Sequence, residues 1–162
     1  TEAGVPLIQV NLGNNETWDT HGEAFSRFKN KLFPPTDRAL CALLDDLEDS
    51  GLLESTMIVM AGEFGRTPKL STLEKVFYKP GRDHWGAVQT AFFAGGGVKG
   101  GQVIGSSSAN GSAVADRPVS VPDLFCSICH SLQVDPRKEH LSPLGRPMKV
   151  VDGGKVVQDL FA

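Results

Sequence analysis

The sequence predicts an α/β fold built on a mainly parallel sheet, on two observations. Two short apolar runs, "VPLIQVNL" (residues 5–12) and "STMIVMAG" (residues 55–62), read as buried strands. Between them, "DRALCALLDDLEDSG" sets Leu40, Leu43, Leu44 and Leu47 on one stripe and turns Asp45, Asp46, Glu48 and Asp49 to water. A helix joining two buried strands is a βαβ unit, and such strands run parallel.

The remaining elements follow in order. Residues 5–12 end at Gly13-Asn14-Asn15, after which "NNETWDTHGE" is a polar loop. In "EAFSRFKNKLF", Ala24, Phe25, Phe28 and Leu32 have helical spacing, and Pro34-Pro35 is expected to break that helix, with Pro35 or Thr36 opening the next. Gly51 stops the Leu-rich helix as its C-cap. "VQTAFFAGG" (residues 88–96) is a third strand. A Gly/Ser-rich loop follows, with one short strand expected at residues 102–104. Val121, Leu124, Phe125, Ile128 and Leu132 then recur at helical spacing, and the tail reads as a hairpin turning at Asp152-Gly153-Gly154.

Bulk properties bound the function. The 162 residues form a single domain with an ordinary apolar content of 40%. Net charge is −3 and no basic stripe is present, which argues against nucleic acid as the main partner. No apolar run is long enough to span a membrane. Three cysteines at no framework spacing argue against a disulfide-stapled fold. The chain opens on Thr1 with no visible leader, and we expect a processed chain or a fragment.

"CSICH" (residues 126–130) matches the attachment signature of a c-type haem. Cys126 and Cys129, however, fall within the amphipathic helical pattern, where a free cysteine serves as a small hydrophobe. A haem also needs a pocket that wraps it and usually a second axial ligand. Met148 and His140 could supply that ligand, but each has a simpler use, so no haem is expected.

The chemistry is expected elsewhere. Two of the four histidines sit beside carboxylates in Gly-rich loops: "WDTHG", with Asp19 and His21, and "GRDHWG", with Asp83 and His84. Between them, "GEFGRTP" holds Glu63 and Arg66. Functional groups of parallel sheets gather at the carboxyl ends of strands, where Asp19, His21 and Glu63 would converge. Mixed carboxylate and imidazole ligands suit a divalent cation, Zn or Mn first, with Ca or Mg as alternatives. Arg66 presents a planar cation suited to two oxygens of a phosphate or sulfate. Each residue also has an ordinary structural use. Asp19 could cap the helix near Gly22, Glu63 could pair with Arg66, and His84 could be a loop contact of Trp85. Three such clusters beside strands shift the balance toward a site.

"WDTHGE", "LDDLEDSGLLESTMIVMAGEFGRTP", "GRDHW", "AGGGVKGGQVIG" and "DRPVSVPDLF" together resemble a bacterial family catalogued as domain of unknown function 1501, common in planctomycetes, over residues 5–161. That family in turn resembles the alkaline phosphatase and sulfatase superfamily. The resemblance implies an alkaline-phosphatase-like three-layer sandwich with a mainly parallel sheet, of which residues 1–162 would be the C-terminal portion. By position, Asp19 and His21 match the first ligand pair of that superfamily, Glu63 the Asp of its Asp-His-Gly turn, and His84 its later His. Phe64 stands where that turn has its second ligand, and the nucleophile is expected in an N-terminal half.

The implied activity is metal-dependent hydrolysis of a small anionic phosphate or sulfate ester. Asp19, His21 and His84 would hold one cation. Glu63 would hold a second cation or act as general base. Arg66 would steady the anion, and Asp83 would be a ligand or the partner that orients a ligand histidine. The alternative is a non-catalytic, metal-stabilised binding or cell-envelope module. A periplasmic or exported location follows from the family alone. A parallel sheet cut through its middle would also invite a homo-oligomer.

Overall fold

The computed structural model describes residues 2–72 and 79–161. Among these residues the predicted parallel sheet does not form. Every pair of strands among the described residues is a two-stranded antiparallel ladder. β1 (Ile58–Ala61) pairs with β4 (Ala91–Ala94) in the register Ile58 to Ala94 and Ala61 to Ala91. β2 (Gly65–Arg66) pairs with β3 (His84–Trp85), β5 (Ser106–Ser107) with β6 (Val114–Asp116), and β7 (Glu139–Leu141) with β8 (Pro147–Lys149).

The three-layer sandwich is likewise corrected, because the βαβ inference needed residues 5–12 to be a strand beside β1. That segment forms no strand, and Leu7 and Val10 are exposed at 73% and 72%. Apolar content made it read as a strand, yet a strand exists only where a neighbour takes up its backbone hydrogen bonds. β1 finds that neighbour in β4 instead. Cβ atoms at Gly95 and Gly96, just past β4, would lie against Thr56 O at 2.3 Å and Met57 N at 2.8 Å. Both glycines have positive φ, which turns the chain there without a side chain in the way.

The helices follow the sequence more closely. α1 (Ala24–Arg27) passes through a π-turn (Phe28–Leu32) into α2 (Phe33–Asp49). Pro34 and Pro35 therefore do not break the helix. They occupy the first turn of α2, where a missing N–H costs nothing. Phe28 stacks on Phe33 across the π-turn with ring centroids 4.9 Å apart, and Trp18 packs on both. Leu47 is the buried anchor of α2, Leu40 and Leu44 are half-buried, and Leu43 is exposed. Gly51 ends the helix in the left-handed region, with φ +71°.

α3 (Val121–Ser131) begins with a capping box. Asp123 N–H donates to Ser120 Oγ, while Asp123 Oδ2 accepts from Ser120 N at 2.8 Å and Oγ at 2.7 Å. Cys126 and Cys129 lie inside this helix and are buried, and burial pushes the Cys129 thiol up from its ordinary range. The tail is fastened to the same helix, with Lys155 N donating to Asp123 Oδ1 at 2.8 Å and Val157 N to the fully buried Ser127 Oγ at 3.0 Å. The tail hairpin turns at residues 142–146 rather than at Asp152-Gly153-Gly154. Those glycines instead redirect the chain onto α3, where a Cβ on Gly154 would strike Pro122. The strand expected at residues 102–104 is displaced to β5 and β6.

Asp123 joins the helix cap to the tail, and it yields a prediction. Asp123→Ala lowers unfolding stability by about 1 to 2 kcal/mol in denaturant titration, the range of a lost helix cap. Hydrogen bonds from the Ser120 side chain and backbone hold this carboxyl below its ordinary 3.8. Its contribution is therefore complete above that value and fades as pH falls through the lower folded value. The wild-type advantage over Asp123→Ala should shrink in that acid window.

Candidate metal centre

Two loops meet to form the site. Residues 19–24 lie against residues 79–82 through backbone hydrogen bonds: Arg82 N to Thr20 O at 3.1 Å, Glu23 N to Lys79 O and Ala24 N to Pro80 O at 3.3 Å. The approach is close because residue 81 is glycine. A Cβ there would lie 2.1 Å from both the carbonyl carbon and oxygen of His21 and 2.4 Å from Thr20 O. Gly81 also exchanges both backbone hydrogen bonds with Ser71, which ties the segment after β2 to the same point. Arg27, on α1, clamps the first loop by donating to the carbonyls of Glu16, Thr17 and Asp19. Arg82 clamps the other through the carbonyls of Thr67 and Pro68, both at 2.6 Å.

These contacts bring Asp19, His21, Arg66, Asp83 and His84 into one cluster. Asp19 Oδ1 is its focus, with Arg66 Nη1 at 2.6 Å, His84 Nε2 at 2.9 Å and His21 Nε2 at 3.1 Å. In the β2–β3 ladder, Arg66 stands directly opposite His84, so the two side chains share a face and reach the same oxygen. On the far side of His21, Nδ1 lies 2.8 Å from Asp83 Oδ1. Asp83 is held in turn by Ser71 Oγ, which donates to its Oδ2 at 2.7 Å, and by its own N–H, which donates to Thr67 Oγ1. Phe64 packs on His84 with ring centroids 4.4 Å apart.

Electrostatics keep both carboxylates charged. Partial burial opposes ionisation of Asp19, but hydrogen bonds from Arg66 and His84, with the charges of Arg66 and His21, outweigh it and bring the group to about 2. The His21 and Ser71 hydrogen bonds lower Asp83 as well.

Asp19, His21 and His84 form a group of donors that could hold a metal ion, with one donor atom from each lying within 4.8 Å of the others. The chemistry of the set fits. A tetrahedral Zn with bonds of about 2.0 Å keeps its ligands about 3.3 Å apart, close to the 3.1 and 2.9 Å that separate Asp19 Oδ1 from the His21 and His84 nitrogens. His21 is the more telling residue, because both ring nitrogens face carboxylates. A neutral imidazole carries one N–H. If Asp83 takes it at Nδ1, the Nε2 lone pair faces Asp19 and needs either a proton or a cation between them. A carboxylate behind a histidine is the usual support of a metal ligand.

Glu63 stands on the exposed turn between β1 and β2, outside this donor group. Sequence reasoning passed over Gly81, Ser71, Arg27 and Arg82. Gly81 carried a signal in "PGRDH", a Pro-Gly turn directly before the paired Asp and His. Ser71 and the two arginines carried none, since their partners are distant backbone carbonyls or a carboxylate.

Comparison with known proteins adds a family. Residues 1–161 match the model of the family described as Protein of unknown function (DUF1501). No curated protein matches the chain, and no solved structure does.

Two outcomes are expected. Gly81→Ala forces the His21 backbone aside, costs about 1 to 3 kcal/mol in denaturant unfolding and weakens any divalent-metal binding measured by calorimetry. Asp19 contributes to stability above its ordinary value of 3.8 and loses that contribution as pH falls toward about 2. Acid unfolding of Asp19→Asn should lack that component.

Proposed function

The chain belongs to the DUF1501 family, and from the geometry of its acid–imidazole cluster we propose that it carries a divalent-metal centre for hydrolysis of phosphate or sulfate esters. The observation that carries the reading is His21 set between two carboxylates, with His84 converging on the same Asp19 oxygen. Asp19, His21 and His84 are the ligands in this reading. Asp83 fixes the His21 tautomer, so that Nε2 points its lone pair toward the cation. Arg66 is the group that takes an anionic ester oxygen. A bound divalent cation supplies Lewis acidity toward an ester oxygen and acidifies a bound water. The order of Asp19, His21, Glu63 and His84 along the chain, similar to that of the alkaline phosphatase and sulfatase superfamily, supports the substrate class.

A second reading is a metal-stabilised binding module without catalysis. Phe64 favours it, since an apolar ring lies against His84 where a second ligand would otherwise stand.

Elemental analysis of purified protein tests the first step. Near-stoichiometric Zn or Mn is expected in the wild type and is lost in His21→Ala with His84→Ala. Asp83→Asn should weaken metal affinity by about 10- to 100-fold while the fold is kept. A metal-free wild type that is as well folded as the double variant would sink the metal centre. Turnover of aryl phosphate or aryl sulfate by the metal-loaded protein separates the hydrolase from the binding module.

A further inference from the structure

The arrangement of Arg66 carries one more step, which rests on the metal-centre reading above. Arg66 Nη1 donates to the very oxygen, Asp19 Oδ1, that the two ligand imidazoles approach. A carboxylate oxygen that already accepts the Arg66 donor at 2.6 Å has little room for a cation at bonding distance, and two positive charges would then share one atom. The remaining contacts of Arg66 are weaker: Nη2 to Trp18 O at 3.3 Å and Nη1 to Arg82 O at 3.4 Å. Its side chain is 21% exposed, so the guanidinium has a path outward. Phe64, with its ring centroid 6.0 Å from Cζ, offers a face along which the guanidinium can stay.

We infer that Arg66 is an exchangeable placeholder: a divalent cation takes over Asp19 Oδ1, and the released guanidinium becomes the binding group for a tetrahedral oxyanion. Charge supports the order of events. With the cation balancing the Asp19 and Asp83 carboxylates, the Arg66 charge is left without an acidic partner among the described residues, and a phosphate- or sulfate-type oxyanion supplies one. The planar fork donates to two of its oxygens at once. Cation binding and anion binding are therefore coupled, cation first, and each strengthens the other.

The test uses calorimetric titration of the whole chain with Zn²⁺, then with inorganic sulfate. Wild type is expected to bind sulfate only after Zn²⁺. Arg66→Gln, which removes the competing cation, is expected to bind Zn²⁺ about 10-fold more tightly and to lose sulfate binding in the Zn-loaded state. Zn²⁺ affinity that falls or stays unchanged in Arg66→Gln makes Arg66 a fixed support of Asp19 and overturns the exchange, while leaving the metal centre standing. Sulfate binding by wild type without Zn²⁺ overturns it too, and that readout needs no variant. Absence of Zn²⁺ binding to wild type overturns the metal centre and the exchange together.

Discussion

The contact on which the site depends is the backbone of Gly81 against the backbone of Thr20 and His21. A side chain at residue 81 would occupy the space of the His21 carbonyl. With that chain-to-chain approach in place, Arg82 N reaches Thr20 O, and Asp83 and His84 are delivered beside His21 and Asp19. Thr20, wholly buried between them, marks how tightly the loops close. Residues far apart in the chain thus acquire a fixed spacing from one glycine and a few amide hydrogen bonds.

Around that contact the charges are arranged with a direction. Asp83 lies behind His21, Asp19 lies in front of it, and Arg66 and His84 enter from the short β2–β3 ladder. Ser71 holds Asp83 from outside, and Arg27 holds the carbonyls of the loop that carries Asp19. Such an outer ring is what keeps an imidazole in one tautomer and one orientation. Arg66 is the element with two candidate partners, and its partial exposure is what allows a choice between them.

The departure from a parallel sheet has a plain physical cause. Residues 5–12 and 55–62 are both apolar and branched, and pattern alone treats them as equals. Only the second acquires a partner, since Gly95 and Gly96 let the chain turn close enough for β4 to lie antiparallel on β1. The first has no ladder among the described residues and stays exposed. A strand's identity depends on a neighbour that its own residues do not encode.

By itself the sequence determined the local features: the Leu-rich helix and its Gly51 stop, the helical spacing from Val121 to Leu132, strands within residues 55–62 and 88–96, and two acid–histidine pairs set in loops. These rest on interactions within a few residues, which a short window contains. Tertiary structure decided the rest. It set the strand direction, carried the helix through Pro34 and Pro35, moved the tail turn to residues 142–146, and left Glu63 outside the cluster. It also made Arg66, and not the two histidines alone, a claimant on Asp19. Each of those outcomes turns on which distant backbone or charge arrives at a given atom, and that information is spread over separations of 47 to 65 residues in the Asp19 contacts of Arg66 and His84.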